Sequence, residues 1–236
     1  MIDKKILRCD KINDGLTVYQ IKNGLLFGTD ALQLADFICA EHMGMYKNAL
    51  ELGAGSGVIS LLLAQRKKIY MTYAVEIQEI YAELAQYNAE LNNLTDRIEI
   101  IHGDLKDCDN LRLPANSVHS IDMVFTNPPY IKYTSENGMS GMLSGLDYKN
   151  ISRREIACNI DDVLRSAARY LKNGGDFYIV YRPDRFQSLF AAMMAHNITP
   201  KKIVFVFADK NVNASLVLIK GKQGAGEGLT VENIFI

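Results

Sequence analysis

Cysteine is scarce and scattered. Cys9, Cys39, Cys108 and Cys158 include no CxxC pair, which excludes a zinc-ribbon pattern and a recognisable disulfide framework and leaves reduced thiols as the expected state. Four histidines, His42, His102, His119 and His196, are equally dispersed without ligand spacing, so no metal is expected. An excess of charge is missing too: 26 Lys+Arg stand against 27 Asp+Glu, a net charge of -1, without the basic field of a dedicated nucleic-acid binder. Any polyanion must therefore be held by local clusters. No apolar run approaches the roughly 20 residues of a membrane span, and Met1-Ile2-Asp3-Lys4-Lys5 leads into polar sequence rather than the apolar heart of a secretion signal. A soluble, cytoplasmic, monomeric protein is expected. Internal repeats, low-complexity tracts and interdomain linkers are also absent. With 48% hydrophobic residues, the expectation is one folded domain over residues 1–236, with an N-terminal extension (1–47) and a catalytic core (48–220).

What is present is alternation. From residue 49 the runs ALELG, MTYAVE, RIEII, IDMVFTN and DFYIVYR read as strands, separated by helices over 58–66, after Gln78 and over 155–171. This pattern implies an α/β fold, a parallel sheet wrapped by helices on both faces. The helix after Gln78 is expected to bury Ile80, Leu84, Tyr87 and Leu91 and to expose Glu79, Glu83 and Glu90. The helix over 155–171 is expected to stop at Lys172-Asn173-Gly174-Gly175. IVFVF and ASLVLIKG close the chain as antiparallel neighbours, because the connection between them is short. Ahead of the core, Asn23-Gly24 between LTVYQIK and LLF predicts a tight hairpin turn. Thr29 or Asp30 is placed to cap a helix burying Ala31, Leu34, Phe37 and Ile38. The stretch from Pro129 to about Ser152 is longer than the ~12 to 15 residues of an ordinary connection, which marks a functional or disordered loop.

Glu51-Leu52-Gly53-Ala54-Gly55-Ser56-Gly57 joins an apolar strand to an apolar helix, so a ligand can approach bare backbone there. A glycine turn alone is compatible with no ligand at all. The preceding Glu51 would repel a pyrophosphate but orient a cationic or amino-acid ligand, which points away from a dinucleotide. No Lys-Ser or Lys-Thr follows the glycines, which excludes a Walker-type loop. Glu76 ends the next strand, where its carboxylate can accept from two ribose hydroxyls. Asp104, in Gly103-Asp104-Leu105, ends the strand after that and can accept from an adenine amine. Each acid taken alone is as readily a strand-end cap; three at successive strand ends form a series. That series, EXGXGXG then strand-end Glu then GD, resembles the class I S-adenosylmethionine-dependent methyltransferases. The resemblance implies a Rossmann-like, mostly parallel seven-stranded sheet with an antiparallel last strand, preceded here by the short hairpin. It also implies that Glu51, Gly53, Gly55 and Gly57 hold the methionine moiety of S-adenosylmethionine, Glu76 the ribose, and Asp104 with Leu105 the adenine.

Asn127-Pro128-Pro129-Tyr130 follows IDMVFT and falls on the same sheet edge as the glycines. An amine conjugated to a planar ring is a poor nucleophile, because its lone pair is delocalised. It needs acceptors for both N–H bonds. Asn127 supplies a side-chain carbonyl and Pro128 a backbone carbonyl, the proline rings stiffen the turn, and Tyr130 offers a face for an unstacked base. Taken alone, NPPY marks methylation of a planar nitrogen: adenine N6, guanine N2 or a glutamine amide. Asn127 also borders the cofactor.

A wider set narrows the choice. Phe27-Gly28-Thr29-Asp30-Ala31, Val75-Glu76-Ile77-Gln78-Glu79, Gly103-Asp104-Leu105-Lys106-Asp107, NPPY, Arg153-Arg154-Glu155 and Tyr181-Arg182-Pro183 together resemble the bacterial tRNA1(Val) adenine-N6 methyltransferases. That resemblance implies tRNA as partner and adenine 37 as acceptor. Lys132, Arg153, Arg154 and Arg182 are the candidate tRNA contacts, each being equally readable as a solvated basic residue. A release-factor glutamine methyltransferase or an rRNA guanine-N2 enzyme would use the same NPPY. The former carries a helical domain ahead of the core, and the stretch available here opens with a hairpin instead.

Overall fold

The strand runs are apolar on both faces because the sheet is covered on both faces. In IDMVFT, Met123 and Phe125 enter a core with Leu34, Ile38, Leu61 and Leu62, whereas Val124 enters another with Val163, Leu164, Leu189 and Met193. The computed structural model describes residues 4–12, 15–24, 26–114, 116–128 and 159–236. A hairpin, β1 (Leu7–Lys11) and β2 (Thr17–Ile21), leads to α1 (Thr29–Glu41), β3 (Tyr46–Leu52), α2 (Val58–Gln65), β4 (Ile69–Glu76), α3 (Glu79–Leu91) and β5 (Ile98–His102). Then come β6 (Ile121–Thr126), α4 (Ile160–Tyr170), β7 (Leu171–Tyr181), α5 (Phe186–Ala195), β8 (Ile198–Phe207), β9 (Leu216–Gln223) and β10 (Thr230–Phe235).

The main sheet has the order β10-β8-β9-β7-β6-β3-β4-β5. β9 alone is reversed in it, antiparallel to both β7 and β8, as the short β8–β9 connection implies. Seven strands satisfy the expected mostly parallel arrangement. An eighth, β10, adds in parallel to β8 at the edge. The order reverses between β3 and β6: the chain runs outward through β4 and β5, then returns to the other side of β3. In open α/β sheets the crevice beyond the carboxyl ends of the strands at such a reversal is where ligands bind.

Four local expectations are corrected. The hairpin turn lies between β1 and β2, not at Asn23-Gly24. Neither Asn23 nor Gly24 has the positive φ that a type I′ turn demands; Gly15, at φ 79°, does. Neither Thr29 nor Asp30 caps α1: the N-cap is Gly28, with no side-chain bond. On α3 the buried face is Tyr81, Ala82, Leu84, Ala85, Asn88 and Ala89, while Leu91 is exposed. The alanines allow close approach, and a Cβ placed on Gly57 would stand 3.2 Å from that of Ala85, so small residues rather than the largest define the contact. Finally, α4 ends at Tyr170, and Lys172 to Gly175 form an irregularity within β7 rather than a helix stop. Gly174, at φ 75°, supplies the left-handed residue there. Asn159 and Asp162 make a reciprocal capping box at the start of α4; residues 155–158 lie outside the described residues.

The hairpin is bound to the domain by amides. Asn88 Oδ1 accepts from Tyr19 N–H at 2.8 Å, and its Nδ2 donates to Tyr19 O and Ser56 O, both at 3.0 Å. Asn92 treats Thr17 the same way, at 3.0 and 2.8 Å. The edge of β2 thus pairs with side chains of α3 in place of another strand.

Candidate active site

The end of β3 and the end of β6 are neighbours, with Leu52 paired to Thr126. The glycine loop and Asn127 therefore leave the sheet side by side, roughly 4.8 Å apart in strand spacing. Thr126 Oγ1 donates to Leu52 O at 2.7 Å and ties the two departures together.

The loop owes its shape to its glycines. Gly53, Gly55 and Gly57 have φ of 78°, 56° and 79°, the left-handed region closed to most side chains. A Cβ added at Gly53 or Gly55 would meet nothing within 4 Å, so open space faces the loop where a ligand could lie against backbone. Gly53 and Ala54 N–H both bond Val75 O at 2.9 Å, which pins the loop to the end of β4.

Two acids line this loop. Glu51 is 1% exposed and accepts a short hydrogen bond from Ser60 Oγ. Burial pushes its pKa up to about 8, against the lowering effect of Ser60, and the nearby Glu76 adds to the rise. Glu76 is 6% exposed; its Oε2 accepts from Gly55 N–H at 2.8 Å and its Oε1 from Gln78 N–H at 2.9 Å. Burial raises its pKa as well, against the backbone hydrogen bonds that favour the anion. The Ile77 backbone also donates to this carboxylate, which still has acceptor capacity left for a ligand donor. Asp104 caps the short turn Leu105–Asp107, its Oδ1 accepting from Lys106 N–H at 2.9 Å, and Leu105 is buried.

Asn127 is half-buried, and its Nδ2 donates to Asp30 Oδ2 at 3.0 Å, a contact across 97 residues of sequence. Pro128 is buried beside it. Pro129, Tyr130, Lys132, Arg153 and Arg154 lie outside the described residues. Arg182, at the end of β7, is engaged by Asp184 through Nε at 2.9 Å and Nη2 at 3.1 Å. It borders a cleft of about 960 Å3 that also has Phe205, Phe207 and Asn213 in its walls, on the same carboxyl edge of the sheet. Among the described residues no cluster of three or more His, Cys, Asp or Glu could hold a metal, and no helix is long and apolar enough to cross a membrane.

Residues 21–141 match the family model of the methyltransferase small domain. The chain belongs to that family. It is 29% identical to the tRNA1(Val) (adenine(37)-N6)-methyltransferase of Dyadobacter fermentans over 93% of this chain and 85% of the relative. It is likewise 29% identical to the protein of that name from Porphyromonas gingivalis, over 69% of this chain but only 60% of the relative. Among solved structures, a predicted O-methyltransferase from Agrobacterium tumefaciens superposes with a TM-score of 0.64 at 22% identity, covering 88% of this chain and 86% of that one. The fold is that of the class I methyltransferases.

For a methyltransferase small domain, the position of Asp30 is the feature that sequence reasoning missed. Gly28-Thr29-Asp30 reads locally as a helix start, and a bond to a residue 97 positions away leaves no periodic trace. The available signal was an acid in the first turn of a helix whose N-cap position is a glycine.

Proposed function

We propose that the chain transfers a methyl group from S-adenosylmethionine to N6 of an adenine in tRNA, adenine 37 of tRNA1(Val) being the acceptor. The observation that carries the reading is the pairing of Leu52 with Thr126, which puts the glycine loop and Asn127 next to each other at the switch point of the sheet. The open space at Gly53 and Gly55 and the buried acids Glu51 and Glu76 fit a ligand with an ammonium group and a ribose. Glu51 would face the ammonium, the loop backbone the methionine carboxylate, Glu76 the ribose hydroxyls, and Asp104 with Leu105 the adenine. When bound there, S-adenosylmethionine supplies an electrophilic methyl carbon on a sulfonium. The relatives named above act on adenine 37 of tRNA1(Val), which selects among the planar nitrogens that NPPY serves.

The protein's part is to make a poor nucleophile attack. Asn127 Oδ1 and Pro128 O accept the two N–H bonds of the amine, favour its pyramidal form and aim its lone pair at the methyl carbon. As the N–C bond would form, the methyl–sulfur bond would break with its electron pair left on a neutral thioether, and the positive charge would pass to nitrogen, where these two oxygens stabilise it. The methylated amine then loses its extra proton to water. Tyr130 provides the stacking face, worth about 1 to 3 kcal/mol per base in single-strand recognition. Lys132, Arg153 and Arg154 serve the phosphates around the acceptor, and Arg182, already held by Asp184, contributes least of the four.

The test incubates purified protein with labelled S-adenosylmethionine and tRNA lacking the modification, followed by nucleoside analysis. N6-methyladenosine is expected. Label in 2-methylguanosine, or in release factor rather than tRNA, would overturn the adenine reading. Asn127→Ala is expected to lower transfer by at least about 100-fold while leaving S-adenosylmethionine binding by calorimetry within about twofold.

A further inference from the structure

Asn127 can do its part only if its amide faces the right way. An amide has two similar ends, and reversal would present Nδ2, a donor, to an amine whose own N–H bonds need acceptors. Nothing in Asn127 itself selects the orientation. Its neighbour does: the contact at 3.0 Å is with a carboxylate oxygen of Asp30, which can only accept. We propose that Asp30 is a positioning residue for methyl transfer, holding the Asn127 amide with Nδ2 inward and Oδ1 toward the acceptor amine. The role rests on the reading of Asn127 given above, whereas the contact itself does not.

Three further observations support it. Asp30 lies in the first turn of α1, at the helix end whose N–H groups favour an acceptor oxygen. Its other oxygen, Oδ1, accepts from Ala31 N–H at 2.9 Å, which fixes the plane of the carboxylate and leaves Oδ2 aimed at Asn127. Gly28 leaves the room: a Cβ there would stand 2.8 Å from Asp30 Oδ1. The arrangement also acts through bonds. A hydrogen bond from Nδ2–H to a carboxylate draws amide electron density toward Oδ1, which becomes the stronger acceptor as positive charge grows on the methylated nitrogen. Asp30 thereby brings the segment ahead of the sheet into the reaction without touching either substrate.

The test pairs an activity readout with a spectroscopic one. In the unliganded protein, the Asn127 side-chain NH2 resonance, assigned by its loss in Asn127→Ala, is expected to exchange slowly with solvent and to lose that protection in Asp30→Ala. On tRNA, Asp30→Ala is expected to lower kcat by about 10- to 100-fold with the KM for S-adenosylmethionine within about twofold. Asp30→Asn, whose carbonyl can still accept from Nδ2, is expected to recover part of kcat. Asp30→Ala combined with Asn127→Ala is expected to be no slower than Asn127→Ala alone. An unchanged Asn127 resonance in Asp30→Ala, full kcat in that variant, or fully additive losses in the double variant would overturn the proposal. If wild-type protein leaves tRNA unlabelled, the adenine reading fails instead, and the resonance still decides the contact.

Discussion

The two edges of the sheet treat buried acids in opposite ways. At the amino edge, Asp176 accepts from Tyr46 Oη at 2.7 Å and pairs with Lys222 at 2.8 Å, Tyr46 meets Tyr178 at 3.0 Å, and Glu41 pairs with both Lys202 and Lys220. Each negative charge there has a cation. At the carboxyl edge, Glu51 and Glu76 are at least as deeply buried, and among the described residues neither is paired with a lysine or arginine; a serine hydroxyl and backbone amides are what they have. An edge that satisfies its own charges is scaffolding. An edge that buries acids without counter-charge raises their pKa and leaves them to ionise against a cation, which a sulfonium with an ammonium group supplies.

Breaking the unpaired edge should cost the most function. Glu51→Gln is expected to weaken S-adenosylmethionine binding by about 10- to 100-fold, the range of a charge-assisted hydrogen bond, as measured by calorimetry. It should not cost stability. With its pKa held at about 8 by burial, Glu51 favours the folded state while protonated. That contribution is complete below the ordinary carboxylate range and is lost as pH rises from there through about 8. Urea titrations across that window should show stability declining in the wild type and a flatter profile in Glu51→Gln. Equal slopes in the two proteins would mean that Glu51 is ionised in the fold and the contrast between edges is false.

The paired edge should respond in the other currency. Asp176→Ala takes one partner from Tyr46 Oη, which keeps Tyr178 Oη, and the counter-charge from Lys222, which keeps Gly174 O, and is expected to cost roughly 1 to 3 kcal/mol of unfolding free energy, with kcat of the folded protein unchanged. A loss of kcat without a loss of stability would place the amino edge in the chemistry. The smallest effects belong to Arg182. Because Asp184 already holds Nε and Nη2 along one edge of its guanidinium, Arg182→Ala should change the KM for tRNA by no more than about threefold, whereas Asp184→Ala, which releases that edge, should tighten tRNA binding and steepen its salt dependence. Equal effects of the two substitutions in a filter-binding titration would refute that order.

Much of the carboxyl edge was legible because its chemistry is local. A glycine that needs φ of 56° to 79°, an acid at a strand end and an asparagine before two prolines all declare themselves within a few residues. The mostly parallel sheet was legible for the same reason, since apolar runs alternating with helices imply parallel crossovers, whereas the order of the strands was not read from the sequence. What failed was whatever depends on partners distant in sequence. Asn23-Gly24 has the composition of a hairpin turn, but β2 pairs backward with β1 and Phe27 N–H goes to the Gln20 side chain. The buried face of α3 is set by what its alanines touch, which counting large apolar residues misplaces. β10, with five of six residues exposed, has no apolar face to announce it. Asp30 was visible as a helix beginning and as part of a family-like motif, but its partner Asn127 was not.

The side-chain amide of Asn88 has a reach that its burial conceals. Its Oδ1 and Nδ2 hold the backbone of Tyr19 in the hairpin, and the same Nδ2 also holds Ser56 O in the glycine loop, so both segments draw on one buried amide. Hairpin, third helix and glycine loop are thereby joined through a single side chain. Protection of the Tyr19 amide in hydrogen exchange is therefore expected to rise when the loop is occupied.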